Sequence, residues 1–227
     1  MQARKSKRKS KRKRKPGRKL KLTKRLRIPK IDHEKYLKKR GFKRIVGVDE
    51  VGRGAWAGPL VAAAVMLPQK RLYSIRDSKL LTPKERRKLS AKIKRSGAKT
   101  GIGIVWQDEL DKIGLSKATF VAFARAVKKL RIKTDFVLTD TFRIPDFNIP
   151  QRPIKKGDMF CASIAAASIV AKVERDKIMR KLAKKYRGYY FERNKGYGTR
   201  RHRKQIKKYG ICEIHRKCFA PIKKYIK

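Results

Sequence analysis

The chain has 227 residues, with 68 Lys plus Arg against 17 Asp plus Glu, a formal net charge of +51. With 40% hydrophobic residues it holds enough apolar material for a folded core, which excludes a wholly disordered chain. So much positive charge excludes cations and basic surfaces as main partners and favours polyanions, nucleic acid before an anionic membrane surface.

Residues 1–30 hold 17 bases and no acid, and runs such as Lys11-Arg12-Lys13-Arg14-Lys15 bury too little to order themselves. This segment reads as a disordered basic arm, serving either phosphate attraction or a general adaptation to a basic proteome. Asp32–Arg40 is a short amphipathic stretch. Phe42–Val48 reads as a strand ending at Asp49-Glu50, and Leu60–Leu67 as a second strand, joined to it by a turn at Gly52-Arg53-Gly54. Thr82-Pro83-x-Glu85 opens a helix to about Arg95, with Thr as cap and Pro just inside. Thr100–Trp106 is a third strand. Ser116–Leu130 is helical, because Phe120, Phe123, Ala124, Val127 and Leu130 share one face. Asp135–Asp140 is a short strand closing on a carboxylate. A Pro-rich loop follows (Pro145, Pro150, Pro153), then Gly157-Asp158 leads into a long helix, apolar to Ala171 and charged through Lys185. Arg200–Tyr209 is a short helix. Strands alternating with helices after an initial hairpin indicate an α/β domain.

Three cysteines (Cys161, Cys212, Cys218) without framework spacing point to a reducing, cytoplasmic setting and away from a disulfide scaffold. The longest apolar stretch, around residues 159–171, is too short to span a bilayer, so no membrane role is expected. A monomer is expected. Cys161 reads as a core thiol. Cys212, His215 and Cys218 have ligand-like spacing, but a zinc site needs a fourth ligand and only His202 is available, so zinc is not expected.

With only 17 acids, the place of each is informative. Asp49 and Glu50 close one apolar strand, Asp140 closes another, and Asp158 starts a helix behind a glycine. Ligand sites of open α/β sheets lie at strand ends, where these four carboxylates can converge. Clustered carboxylates raise one another's pKa and stay ionised when a divalent cation sits between them. An all-oxygen set suits Mg²⁺ or Mn²⁺, and two such ions serve phosphodiester hydrolysis. Each acid could instead be a cap or a partner for the many bases. The glycines of Gly52-Arg53-Gly54 let backbone N–H groups approach a phosphate or sugar, and Arg53 adds a charged contact.

Across residues 42–221 the chain resembles ribonuclease HII, the type 2 ribonuclease H family. Six ordered blocks carry the resemblance: Gly47-Val48-Asp49-Glu50-Val51-Gly52-Arg53-Gly54 with Ala57-Gly58-Pro59-Leu60; Arg76-Asp77-Ser78-Lys79-Leu80-Leu81; Thr139-Asp140; Lys156-Gly157-Asp158 with Ala166–Asp176; Lys195-Gly196-Tyr197-Gly198-Thr199; and His215-Arg216-x-x-Phe219. The resemblance implies a ribonuclease-H-like α/β fold: a mixed five-stranded sheet flanked by helices, with a helical C-terminal portion. It implies a catalytic core over residues 41–185 and a substrate-recognition segment over 186–227. It further implies endonucleolytic cleavage of RNA in RNA–DNA hybrids, and incision 5′ of single ribonucleotides in duplex DNA, leaving 5′-phosphate and 3′-hydroxyl ends. Asp49, Glu50, Asp140 and Asp158 match the catalytic, metal-binding carboxylates. Gly52, Arg53 and Gly54 match the turn that reads the ribose 2′-hydroxyl. Tyr197 matches the tyrosine that stacks on the junction sugar, and Lys79 a phosphate contact. The 2′-hydroxyl is the group that tells a ribonucleotide from DNA. Departures are Thr141 where a small residue, often Gly, is common, Asn194 in place of His, and Cys218 in place of Ser. The sister type, ribonuclease HIII, lacks this Gly-Arg-Gly turn.

A rival reading is a non-catalytic basic protein that packages nucleic acid. A pure binder has no reason to keep four acids at strand and helix ends in so basic a chain. Removal of residues 1–30 is expected to weaken duplex binding and flatten its salt dependence, with the cut position unchanged. An unchanged slope in a salt titration would show that the arm does not touch nucleic acid.

Overall fold

The computed structural model describes residues 32–68 and 81–226. The arm of residues 1–30 and the Asp77-Ser78-Lys79 block, with Lys79, lie outside the described residues.

Five strands form one mixed sheet among the described residues: β1 (Ile45–Val51), β2 (Leu60–Met66), β3 (Lys99–Val105), β4 (Phe136–Asp140) and β5 (Gln151–Ile154), in the order β3-β2-β1-β4-β5. The first three are antiparallel; β4 runs parallel to β1, and β5 parallel to β4. The helices are α1 (Asp32–Lys39), α2 (Pro83–Arg95), α3 (Gln107–Ile113), α4 (Leu115–Lys128), α5 (Gly157–Phe160), α6 (Ala162–Lys185), α7 (Phe191–Asn194), α8 (Arg200–Tyr209) and α9 (Ala220–Lys223).

Helices cover both faces of the sheet, so β2 reads Leu-Val-Ala-Ala-Ala-Val-Met with no polar alternation. The two-residue period divides the strands between two cores. Val46, Val48, Ala62 and Ala64 pack with Ala122, Phe123 and Ala126 of α4. Ala63 and Val65 face Ala166, Ile169 and Val170 of α6 and Ile93 of α2. A third cluster joins Ala57 and Met179 to Tyr189, Phe191, Ile206, Ile214 and Ile222 of the C-terminal segment.

Local signals explain several boundaries. Thr82 and Glu85 form a reciprocal capping box at the start of α2. The first turn of α6 is capped from a distance: buried Glu34 of α1 accepts from the Ser163 backbone N–H (2.9 Å) and hydroxyl (2.7 Å).

The structure differs from the sequence expectation in four places. β1 runs through Asp49-Glu50 to Val51 and does not stop before them. The short helix α3 precedes α4 and is not signalled by a long apolar period. The Pro-rich segment ends in a strand, β5, because an outer strand tolerates Pro153. The long helix is interrupted at Cys161, where φ −118° and ψ 124° separate α5 from α6. Cys161 itself is fully buried, as a core thiol should be, and burial pushes its pKa up.

Close approach of α4 depends on Gly103 of β3. A Cβ there would stand 1.9 Å from the Ala122 carbonyl oxygen, a backbone atom that cannot swing aside. Gly103→Ala is expected to destabilise the fold by about 1–3 kcal/mol, the usual range for overpacking. Urea denaturation checks this.

Candidate active site

Strand register brings the first two acid positions together. Val48 pairs with Thr139 across the parallel β1–β4 ladder, so the next residues, Asp49 and Asp140, stand side by side near the C-terminal ends of the two strands. The break between α5 and α6 then turns Asp158 towards the same end. Asp49, Glu50, Gly52, Arg53, Gly54, Asp140, Asp158 and Tyr197 line one cavity of about 410 Å³ with Arg86, Ser168 and Lys172. Eight of the nine site positions expected from the sequence therefore share one cavity, and Lys79 is outside the described residues. Ser168 and Arg86 were not expected there; the sequence left Lys172 either as a neutraliser of the active-site acids or on the polar side of the long helix, and it lines the cavity.

Each carboxylate is held by its surroundings. Asp49 is 6% exposed; its Oδ1 accepts from the Glu50 backbone N–H at 2.7 Å, and its carboxylate also accepts from Ser168 of α6. Burial, then the charges of Glu50 and Asp140, push the Asp49 pKa well up. Burial raises Glu50 to about 7, against the pull of Arg53, whose Nε lies 3.8 Å from Glu50 Oε1. Asp140 Oδ1 accepts from the Gly157 backbone N–H at 2.7 Å, tying β4 to the start of α5. The residue after Asp140 turns sharply: Thr141 has φ +62°, a conformation that favours glycine. That explains why a threonine is a departure here, and its hydroxyl compensates by donating to Asp140 Oδ1 at 3.3 Å.

These residues fit a hard divalent cation. The donors are all carboxylate oxygens, burial and neighbouring negative charge disfavour the ionised forms of Asp49 and Glu50, and Glu50 Oε2 is buried with no hydrogen-bond partner. Among the described residues no three His, Cys, Asp or Glu side chains stand close enough together to hold a metal ion as they are. The carboxylates stand around the cavity wall, as four like charges should.

Two arginines hold the glycine turn and the segment after it; from the sequence Arg175 could neutralise the active-site acids or lie on the polar side of the long helix, and Arg216 stood only within a motif. Arg175 and Arg216 are both fully buried. Arg175 donates to the carbonyls of Pro59 (2.9 Å), Lys195 (2.9 Å) and Ala57 (3.1 Å). Arg216 donates to Gly58 (3.0 Å) and Arg53 (3.0 Å). No carboxylate bonds either guanidinium among these contacts, so carbonyl dipoles carry the solvation. Gly52 has φ +95°, and a Cβ there would stand 2.2 Å from Arg175 Nε, so both conformation and space require glycine. The Arg53 side chain points to the other side, donating to the Thr119 hydroxyl and lying 4.4 Å over the Phe142 ring.

Tyr197 is placed by the C-terminal segment. Its ring lies 5.3 Å from the Arg175 guanidinium, and Trp56 N–H and Ala57 N–H donate to Gly196 O beside it. Asn194 staples the preceding loop, donating to Tyr189 O (2.7 Å) and accepting from Gly196 N–H (2.8 Å). A histidine relay supports the Tyr197 backbone. His215 Nδ1 accepts from Cys212 N–H (2.9 Å), which leaves its proton on Nε2, donated to His202 Nε2 (3.1 Å). His202 Nδ1–H then donates to Tyr197 O (3.0 Å). Cys212 and the two histidines are thus hydrogen-bonded to each other, while the Cys218 N–H is tied to Asp111 (3.0 Å). Tyr189 and Phe191 pack inside this lobe.

A family model described as Ribonuclease HII matches residues 46–222. The chain is 45% identical over 199 residues to the Ribonuclease HII of Dehalococcoides mccartyi, covering 86% of this chain and 94% of that one. It is 49% identical over 189 residues to the Ribonuclease HII of Acetivibrio thermocellus, covering 83% and 74%. Its backbone is similar to the crystal structure of the ribonuclease H2 from Pyrococcus horikoshii, with a TM-score of 0.68 and 26% identity over 81% of this chain and 97% of that one.

The histidine relay makes stability depend on pH. Burial lowers the pKa of His202, and burial with the His202 charge lowers His215 to about 4. Unfolded, both take a proton near pH 6.5. The relay's contribution is therefore complete above about pH 6.5 and is lost as pH falls towards 4. Urea midpoints across that window should converge between the wild type and His215→Asn at the acid end. Parallel curves would show that the pair does not titrate there.

Proposed function

The chain belongs to the ribonuclease HII family of metal-dependent endoribonucleases, and from that premise we propose that it cuts the RNA strand of RNA–DNA hybrids and incises 5′ of single ribonucleotides in duplex DNA. The observation that carries this reading is one cavity lined by Asp49, Glu50, Asp140, Asp158, the Gly52-Arg53-Gly54 turn and Tyr197.

In this reading the four carboxylates hold two divalent cations, Mg²⁺ or Mn²⁺. When bound, these supply activation of water and neutralisation of the charge developing on the phosphodiester, giving 5′-phosphate and 3′-hydroxyl ends. The chain's own groups orient and select. Ser168 and the Gly157 N–H fix the two carboxylates at the strand ends. Backbone groups of the glycine turn read the ribose 2′-hydroxyl without reading a base. Arg216 holds the Arg53 carbonyl of that turn, and Arg175 the carbonyls of the segment that follows it. Tyr197 stacks on the sugar at the RNA–DNA junction, and Lys79 contacts phosphate. Residues 41–185 act as the catalytic core and 186–227 as the recognition segment, with the basic arm adding sequence-independent attraction.

We place this activity in the cytoplasm, carried out by a single chain. Among the described residues no helix is long and apolar enough to cross a membrane.

The test is cleavage of labelled duplex DNA carrying one ribonucleotide, with Mg²⁺, with Mn²⁺ and with chelator, beside an all-DNA control. Metal-dependent cutting 5′ of the ribonucleotide is expected, with the control intact. Asp49→Asn or Asp140→Asn should reduce turnover by about 10²–10³-fold or more, the scale of losing a preorganised electrostatic group, while substrate binding changes little. Cutting of long hybrids alone would remove the proposed junction reading by the turn and Tyr197. Retained turnover in both variants would refute the carboxylate assignment.

A further inference from the structure

Asp111 of α3 has no place in the reading above, yet it grips the segment that holds the glycine turn. Its Oδ2 accepts from the Lys217 backbone N–H at 2.8 Å, and its Oδ1 from the Cys218 N–H at 3.0 Å. The Cys218 side chain bonds to it as well. Hydrogen bonds from backbone N–H groups to an ionised carboxylate are among the strong ones.

Arg216 stands directly before these two residues. Its Nε donates to Gly58 O and its Nη1 to Arg53 O, both at 3.0 Å, and its backbone N–H donates to Trp56 O at 2.8 Å. Its Nη2 is buried with no hydrogen-bond partner among the described residues, and the nearby Asp111 charge favours the ionised guanidinium. Asp111 therefore acts on Arg216 twice, by fixing the backbone that follows it and by supporting its charge.

A single peptide group carries that influence into the active-site cavity. The Arg53 oxygen and the Gly54 N–H belong to one planar trans peptide and lie on its opposite edges. Anchoring the oxygen on Arg216 thus aims the N–H the other way. Gly54 lines the cavity, with open space where a Cβ would stand.

The Arg53 side chain is held from the same stretch of chain. Its Nη1 donates to the hydroxyl of Thr119 in α4, which itself donates to Leu115 O at 2.9 Å. Val105, the last residue of β3, pairs with Leu60, so α3 begins at the sheet end where Gly58 and Pro59 enter β2. Thr119 fixes the side chain of Arg53 directly, and Asp111 fixes its carbonyl through Arg216.

The geometry points to Asp111 as a positioning residue that sets how strictly the turn reads a ribose 2′-hydroxyl, by locking Arg216 onto the Arg53 carbonyl. The inference rests on the proposed nuclease reading and deepens it. The competing explanation is a tie that only fastens the C-terminal segment to the rest of the fold.

The two explanations differ in substrate dependence. One ribonucleotide in duplex DNA offers the turn a 2′-hydroxyl in one register, whereas an RNA strand offers one at every nucleotide. A displaced turn loses more on the first substrate. The experiment measures kcat and KM with Mg²⁺ on duplex DNA carrying one ribonucleotide and on a long RNA–DNA hybrid, for the wild type, Asp111→Asn and Asp111→Ala. Melting temperatures and the affinity for an all-DNA duplex are measured alongside, and cleavage is assayed well below melting. Asp111→Ala should lower kcat on the single-ribonucleotide duplex by about 10–10²-fold, the scale of a small misplacement at a reacting centre. The loss on the hybrid should be several-fold smaller, and all-DNA affinity should not change. Asp111→Asn keeps one acceptor and should fall between, so it carries the test where Asp111→Ala does not fold. Equal losses on the two substrates, or lowered melting with kcat unchanged on both, would overturn the assignment. Failure of the nuclease reading looks different: the wild type itself would leave both substrates intact.

Discussion

Repulsion among carboxylates is the constraint around which the rest of the structure is arranged. Asp49, Glu50, Asp140 and Asp158 line one cavity, and Asp49 and Glu50 are largely removed from water. Left to themselves such groups would protonate or move apart. The parallel β1–β4 register forces two of them to adjacent strand ends, and hydrogen bonds from Ser168 and the Gly157 N–H fix their orientation. The burial that makes the site costly is supplied by alanine-rich α6, which lies close against the sheet. Stability of the scaffold and readiness to bind cations are thus one arrangement seen from two sides.

The glycine turn faces the opposite electrostatic problem. Two full positive charges, Arg175 and Arg216, are buried behind it and are met by backbone carbonyls of residues 53, 57, 58, 59 and 195. Burial, with the neighbouring Arg175 charge, lowers the Arg216 pKa to about 9. A carbonyl that accepts from a guanidinium is not free to rotate, so Arg53 of the turn and the segment after it are held before any ligand arrives. This stiffness comes from the second half of the chain, since Arg175 belongs to α6 and Arg216 to the C-terminal segment.

Much of this was legible in the sequence, and the failures have definite causes. Asp49, Glu50 and Asp140 stood out because acids are scarce and close apolar strands. α2 carried a capping signal and α4 a periodic one. Arg175 and Arg216 were not legible as core residues, because a charged residue in so basic a chain reads as solvated and nothing local marks a carbonyl partner over a hundred residues away. β5 was hidden because two prolines nearby read as a loop. Thr141 and Asn194 were visible as departures, but their meaning needed φ angles and bonding partners. Arg86 was legible as a base without any sign that it shares the cavity with the acids, whereas Lys172 already read as either a neutraliser of those acids or a residue of the polar helix face.

The position of β5 has a further consequence. Among the described residues it is the outermost strand on its side of the sheet, and Pro153 within it has no N–H to offer. Exposed Arg152 and the following Lys155 and Lys156 add charge along the same border. An open sheet edge is a template on which a strand from another molecule can assemble, and proline with clustered positive charge removes that template. The irregular segment that obscured the strand in the sequence therefore also guards the fold against sheet-to-sheet aggregation.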